Sequence, residues 1–107
     1  MEQISFFGRL APLILSGRKT ATVRSRSEGC YKPGQQLEAV TNEELEFICL
    51  IEISDVEAIS INELSRFHAR AEGFLFAFQL KNAIRKIYLT ETELVFVRYR
   101  VVSQISC

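Results

Sequence analysis

Apolar and polar residues along the chain change period repeatedly, and each change marks a candidate element. Ile4 to Phe7 is an apolar run of strand length. From Gly8 to Ser16, Leu10, Leu13 and Ile14 fall at helical spacing, with Gly17 placed to stop that helix. Thr20 to Ser25 alternates, Ala21 and Val23 on one side against Thr20, Thr22 and Arg24 on the other, as in a half-buried strand. Lys32-Pro33-Gly34-Gln35 reads as a turn. Gln36 to Thr41 and Glu46 to Ile53 then read as strands, joined by the polar connection Asn42-Glu43-Glu44. Ser60 with Glu63 is a capping-box pattern opening a helix through about Arg70, interrupted at Gly73. Phe74 to Tyr88 carries Phe74, Phe78, Ile84 and Ile87 at spacings compatible with a second helix, and its aromatics are expected in the core. Glu93 to Val102 alternates Leu94 and Phe96 against Val95, Val97 and Tyr99 as a final strand.

About five strands and three helices in mixed order imply an α+β domain built on a small curved sheet or barrel. The 107 residues match one compact unit, taken as a single domain over 1–107. Composition changes that picture little, since 48% hydrophobic and 24% charged residues are those of an ordinary globular chain. There is no apolar run of about 18 residues and no basic, apolar start, so the expected location is the cytoplasm, with no membrane contact. Cys30, Cys49 and Cys107 are widely spaced and form no Cys-x-x-Cys, the usage of reduced thiols; Cys49 reads as core and Cys107 as open to intermolecular oxidation. His68 is the single histidine, and without clustered cysteines it assembles no usual zinc set. The expectation is therefore no metal and no cofactor.

Net charge is zero, yet residues 1–34 carry six Lys or Arg against two acids, while 35–107 carry seven against eleven. The basic excess surrounds Gly17-Arg18-Lys19-Thr20-Ala21-Thr22-Val23-Arg24. A threonine hydroxyl is a poor nucleophile at neutral pH, and a neutral lysine amine within hydrogen-bond reach can take its proton during attack on a carbonyl. On a regular strand residues 19 and 22 point to opposite faces, so Lys19 must lie in the entry turn, its stem folded back over the face carrying Thr22.

Over this stretch the chain resembles the ASCH family, whose members share a PUA-like β-barrel and a Gly-x-Lys-x-x-Thr-x-Arg signature, met here by Gly17, Lys19, Thr22 and Arg24. It is similar in particular to the short bacterial ASCH proteins that act as N4-acetylcytidine amidohydrolases. Ile4-Ser5-Phe6-Phe7, Tyr31-Lys32-Pro33-Gly34, His68-Ala69 with Glu72, and Ile87-Tyr88 carry the likeness along nearly the full length. It departs at Ser25 and in the aromatic run Phe74 to Phe78. The resemblance implies a mixed β-barrel flanked by about three helices, with Lys19, Thr22 and Glu72 as the catalytic set. It implies a small-molecule substrate, acetylated cytidine, cleaved to cytidine and acetate.

For that reaction Lys19 must be neutral part of the time, and burial or the cations Arg18 and Arg24 would lower its pKa. An ionised Glu72 beside it would act against this, which leaves two readings: a protonated Glu72 donating to the cytosine, the preferred one, or a Glu72 held nearer the base than the lysine. Arg24 is a candidate for the oxyanion or for substrate binding, together with a backbone amide near Thr22. Phe6, Phe7 and Tyr31 are candidates for the floor under a flat base, with at most one of Phe6 and Phe7 if their strand is regular. His68 reads as a helix residue with a satisfied ring, or alternatively as orienting Glu72 one turn on. The competing class is a non-catalytic RNA-binding module using Arg18, Lys19, Arg24 and Arg26, which the pI near 6.6 makes the second choice. Oligomeric state is not legible.

Overall fold

The computed structural model describes residues 2–26, 30–87 and 93–103. Five strands, β1 (Gln3–Phe6), β2 (Ala21–Ser25), β3 (Gln36–Thr41), β4 (Phe47–Ser60) and β5 (Glu93–Ser103), form one sheet in the order β1-β3-β4-β5-β2. Three helices accompany it: α1 (Ala11–Leu15), α2 (Arg66–Glu72) and α3 (Ala77–Ile87). This is the mixed α+β architecture expected from the residue pattern. β1 runs parallel to β3 and every other pairing is antiparallel.

The long strand β4 shifts register against β5 between Leu50 and Ile51 and again between Ile53 and Asp55. Such irregularities bend and twist a strand, so β4 coils and carries the sheet round. The two edge strands then converge, and Arg24 Nη2 on β2 donates to the Ser5 carbonyl on β1 at 2.7 Å. A side chain rather than a ladder thus bridges the two edges at this point.

Both faces of the sheet are covered. Ile4, Phe6, Ile14, Leu37, Cys49, Ile51, Ile53, Val97 and Tyr99 form one core cluster, and Ala21, Val23, Ile59, Leu64, Leu80, Ile84, Leu94 and Phe96 belong to a second beneath α2 and α3. Strand β5 feeds both: Val97 and Tyr99 enter the first cluster, Leu94 and Phe96 the second. Its alternation is that of a strand buried on two sides, not one.

The helices depart most from expectation. Ser60 and Glu63 do form a capping box, but it closes only the 3-10 turn Ile61–Glu63. Ser65 caps α2 instead, its N–H donating to His68 Nδ1 at 3.0 Å, with Gly73 in the left-handed region ending the helix at φ 98. Pro12 in the first turn of α1 leaves Gly8–Leu10 as a separate 3-10 turn. In the second helical segment Leu80 and Ile84 are buried and Phe74 packs against the second core cluster, whereas Leu75, Phe76 and Phe78 are exposed, which corrects the core expectation for Phe78. The helix starts at Ala77, so the inward face runs through Leu80 and Ile84 and turns Phe78 away. Cys49 is in the core and Cys30 exposed; Tyr88 and Cys107 lie outside the described residues.

Gly73 holds the end of α2 against α1: a Cβ there would meet Leu13 Cδ1 at 3.3 Å. An L side chain at this φ costs about 1 to 2 kcal/mol. Gly73→Ala is expected to lower unfolding free energy by roughly that amount in urea titrations, with an unchanged m value.

Candidate active site

The turn that leaves α1 decides where Lys19 goes. Gly17 takes φ 80, and the Arg18 and Lys19 amides both donate to the Leu13 carbonyl at 3.0 Å. The Lys19 carbonyl accepts from the Tyr99 hydroxyl at 3.1 Å, and the Thr20 amide donates to the Ala71 carbonyl at 2.7 Å. With its backbone held on three sides, Lys19 stands just before β2 and its side chain is 1% exposed. The entry-turn placement inferred from strand geometry is the one observed.

The amine donates to the Ala21 carbonyl at 2.7 Å and pairs with Glu72 Oε2. It lies 5.6 Å from the centre of the Phe6 ring. Burial holds the amine below its ordinary value of 10.5; attraction and hydrogen bonding to Glu72 pull the other way without prevailing, and Arg24 adds a smaller push downward. Arg24 is therefore the cation that acts on Lys19. Arg18, the other candidate, is not among the causes.

Glu72 ends α2 and has both oxygens engaged, Oε2 with Lys19 and Oε1 accepting the Val23 amide at 2.5 Å. Val23 sits on edge strand β2, whose outward N–H groups have no strand partner and need another acceptor. The carboxylate is thus turned onto the amine and the strand. The preferred reading, a protonated Glu72 donating to the base, finds no such geometry, because Oε1 is an acceptor and Oε2 faces the amine. The same contact removes the Val23 amide from the candidate oxyanion donors.

Thr22 Oγ1 accepts from Arg24 Nε at 3.2 Å. The Arg24 guanidinium lies 5.1 Å from the Phe6 ring centre while Nη2 reaches Ser5. No hydrogen bond joins Lys19 Nζ to Thr22 Oγ1 among the described residues. The two side chains meet instead on the wall of one cavity of about 350 Å³, together with Arg24 and Glu72.

That cavity has a polar wall and an apolar one. Ser5 and Asn42 continue the polar side, where the Ser5 hydroxyl donates to Asn42 Oδ1 at 3.3 Å. Phe6 and Phe74, with Leu80, Ala83, Ile84 and Ile87 of α3, supply the apolar side. Both Phe6 and Phe7 contribute, contrary to the opposite-faces argument, because β1 ends at Phe6 and Phe7 lies beyond its alternation. Tyr31 does not line this cavity; it packs against the core cluster of Ile4 and Phe6. His68 does not orient Glu72: Nδ1 accepts from Ser65, and the ring stands edge-on to Phe96 at 4.7 Å. Arg26 pairs with Glu93 at 3.5 Å, away from the cavity.

Asn42, Arg9, Phe74 and the α3 residues escaped the sequence reading. Asn42 sat in a segment read as a plain connection, and the helix residues carried only a core signal. Among the described residues no three His, Cys, Asp or Glu side chains gather as a metal site, and no helix is long and apolar enough to cross a membrane.

The fold is shared with known proteins. The family model of the ASCH domain matches residues 2–103, and the chain belongs to that family. A protein of Moritella marina named N(4)-acetylcytidine amidohydrolase is 49% identical over 100 residues, covering 94% of this chain and 93% of its own. One of the same name from Serratia proteamaculans is 37% identical over 98 residues, covering 92% and 95%. Among solved structures, an ASCH domain from Lactobacillus crispatus superposes with a TM-score of 0.81 at 22% identity, over 95% of this chain and 80% of its own, a likeness of fold. A protein from Enterococcus faecalis gives 0.75 at 26% identity over 100% and 84%.

The Lys19 environment has a consequence for stability. A lysine held low binds fewer protons folded than unfolded, so stability rises with pH from the folded pKa toward about 10.5. Tyr99, whose phenol burial raises first of all, has the opposite sign: stability falls once pH passes the ordinary value of 10.0. Denaturation series across this range are expected to show the rise in wild type and its loss in Lys19→Met. Tyr99→Phe should remove the decline at the alkaline end.

Proposed function

We propose that this protein hydrolyses the exocyclic acetyl amide of N4-acetylcytidine, releasing cytidine and acetate. The observation that supports it most is the fully buried Lys19 amine held low beside Thr22, in a cavity with one polar and one apolar wall. The relatives named for this activity, up to 49% identical across nearly the whole chain, support the choice of substrate.

In the proposed course the cytosine ring lies against the apolar wall of Phe6 and Phe74, with its acetyl group toward Thr22. Neutral Lys19 takes the hydroxyl proton as Thr22 Oγ1 adds to the carbonyl carbon. The carbonyl oxygen gains the charge, and the Arg24 guanidinium, already bonded to Oγ1, is the group that opposes it. The bond from carbonyl carbon to N4 then breaks, Lys19 returns its proton to N4, and cytidine departs. Water, deprotonated by the same amine, attacks the acyl-threonine, expelling acetate and restoring the hydroxyl.

Glu72 acts in this scheme through Lys19. Its carboxylate directs the amine and raises its pKa against the effect of burial, keeping the base strong enough to matter. Motion of Lys19 Nζ from the Ala21 carbonyl toward Thr22 on substrate binding is part of the proposal, since catalytic hydrogen bonds often tighten only in the complex.

Incubation with N4-acetylcytidine, with and without a chelator, and with cytidine followed by chromatography, tests the reading. Wild type should turn over regardless of chelator. Lys19→Ala and Thr22→Ala should each lose roughly 10³-fold or more in kcat, and Thr22→Ser should recover much of it. Folded wild-type protein that releases no cytidine would overturn the function, and high activity in Thr22→Ala would replace the acyl-threonine by Lys19-activated water.

The base assignment carries its own pH signature. The rate should rise with pH as Lys19 loses its proton, and Glu72→Gln, by removing a charge that raises the amine, should move that limb to lower pH. A limb that stays in place in Glu72→Gln would separate Glu72 from Lys19.

A further inference from the structure

One polar side chain on the cavity wall, Asn42, has no task in the scheme above. It follows β3 directly and its place is fixed twice over: its own N–H donates to the Phe6 carbonyl at 2.7 Å, and the neighbouring Glu43 carboxylate accepts from the Gly8 amide at 2.9 Å. The orientation of its amide is fixed as well, because Oδ1 accepts from the Ser5 hydroxyl at 3.3 Å. An amide whose oxygen is engaged in this way presents Nδ2 on its other side, and among the described residues no acceptor takes the two Nδ2 hydrogens.

The polar groups around Thr22 are, by contrast, engaged within the protein. Lys19 Nζ is held by Ala21 and Glu72, and Glu72 Oε1 by the Val23 amide. Arg24 continues into a row of contacts along the wall: Nε to Thr22 Oγ1, Nη2 to the Ser5 carbonyl, then the Ser5 hydroxyl to Asn42. The row starts at Thr22, which is buried, and ends at Asn42, which is exposed at the cavity mouth. It therefore runs outward from the reacting hydroxyl and finishes in an unused donor.

A cytosine acylated on N4 has an edge of matching order. N4, N3 and O2 follow one another along one side of the ring, and O2 can only accept. With the acetyl group at Thr22, that edge laid along the row brings O2 to Asn42. We propose that Asn42 is a specificity-determining residue, Nδ2 donating to O2 of the acylated cytosine while Ser5 holds the amide in that orientation. An N6-acylated adenine laid the same way brings a C–H to Asn42 and leaves the donor unpaired, so the row selects cytosine over adenine. The inference rests on the amidohydrolase reading for the atom placed at Thr22; the fixed amide with its free donor is independent of it.

Two small amides isolate the contact: N4-acetylcytosine, which carries O2, and 4-acetamidopyrimidine, which has the same acylated ring edge without it. The ratio of their kcat/KM values cancels effects on the shared chemistry. Asn42→Leu should lower this ratio about tenfold. Asn42→Asp, which keeps an oxygen for Ser5 and exchanges the donor for an acceptor, should lower it at least as far, and Ser5→Ala, which frees the amide to rotate, should lower it less. An unchanged ratio in Asn42→Leu, or the full wild-type ratio in Asn42→Asp, would overturn the proposal. A loss with N4-acetylcytidine that is absent with its 2′-deoxy counterpart would give Asn42 to the ribose and overturn it equally. Turnover in wild type with an unchanged ratio would leave the amidohydrolase reading standing without this contact. Calorimetric Kd values for the same two amides serve if wild type turns over neither: a preference for N4-acetylcytosine that Asn42→Leu abolishes would uphold the contact and defeat the amidohydrolase reading, and no preference would defeat both.

Discussion

A lysine amine withdrawn from water must find partners, and the way Lys19 finds them organises much of this molecule. Burial disfavours the charged form of the amine. Glu72 counters that tendency, and the Ala21 carbonyl takes another of its protons. To deliver that carboxylate, α2 must end at Glu72 and turn sharply, which Gly73 does with a positive φ. To deliver the amine, the chain must leave α1 through Gly17 and be pinned by Leu13, Tyr99 and Ala71. The pair therefore ties both helices to the start of β2. Pairs of this kind gain little net stability after desolvation, while removal of one partner alone is costly. Such a pair makes sense for its chemistry more than for its contribution to folding.

The site lies where the sheet runs out of strands. Edge strands carry unpaired amides and carbonyls that must be satisfied or covered. Here those groups are put to use: the Val23 amide orients Glu72, and the Ser5 carbonyl holds Arg24, which in turn bonds Thr22. The convergence of β1 and β2 thus closes the sheet and positions the site with the same atoms. It also explains why Arg24 is close enough to act on Lys19 electrostatically. A fully laddered closure would have consumed these groups in strand pairing.

What was legible in the sequence followed from period and from local geometry. Most strands were readable because their alternation is clean, although β4 runs on to Ser60, well past the end expected at Ile53; the turn placement of Lys19 followed from the opposite faces of positions 19 and 22. The misses share a cause: partners that periodicity does not encode. β2 looked half-buried, but Thr22 and Ser25 are buried along with Ala21 and Val23. Ser60 and Glu63 are a true capping box on a turn too short to be the helix, which waits for Ser65 and His68. Phe7 escaped the alternation rule by one residue, and Tyr31, close to the motif in sequence, packs on a different part of the core. Whether Glu72 would face the amine or the substrate depended on an edge-strand amide 49 positions away, beyond any local pattern.

Charge shows the same limit. Division of the chain near residue 34 put the basic excess on the motif, and a net charge of zero argued against a polyanionic partner. In three dimensions much of that excess is spent: Lys19 is inside on Glu72, Arg24 bridges the sheet edges, and Arg26 pairs with Glu93. The cations that remain unpaired on α2 and α3 come from the half of the chain that reads as acidic, because the acids of that half lie mainly on β3, β4 and their turn. Net charge measures solubility and long-range attraction averaged over all directions, whereas docking responds to the field of one face. A neutral chain with segregated charge is therefore not the same object, physically, as a neutral chain with mixed charge.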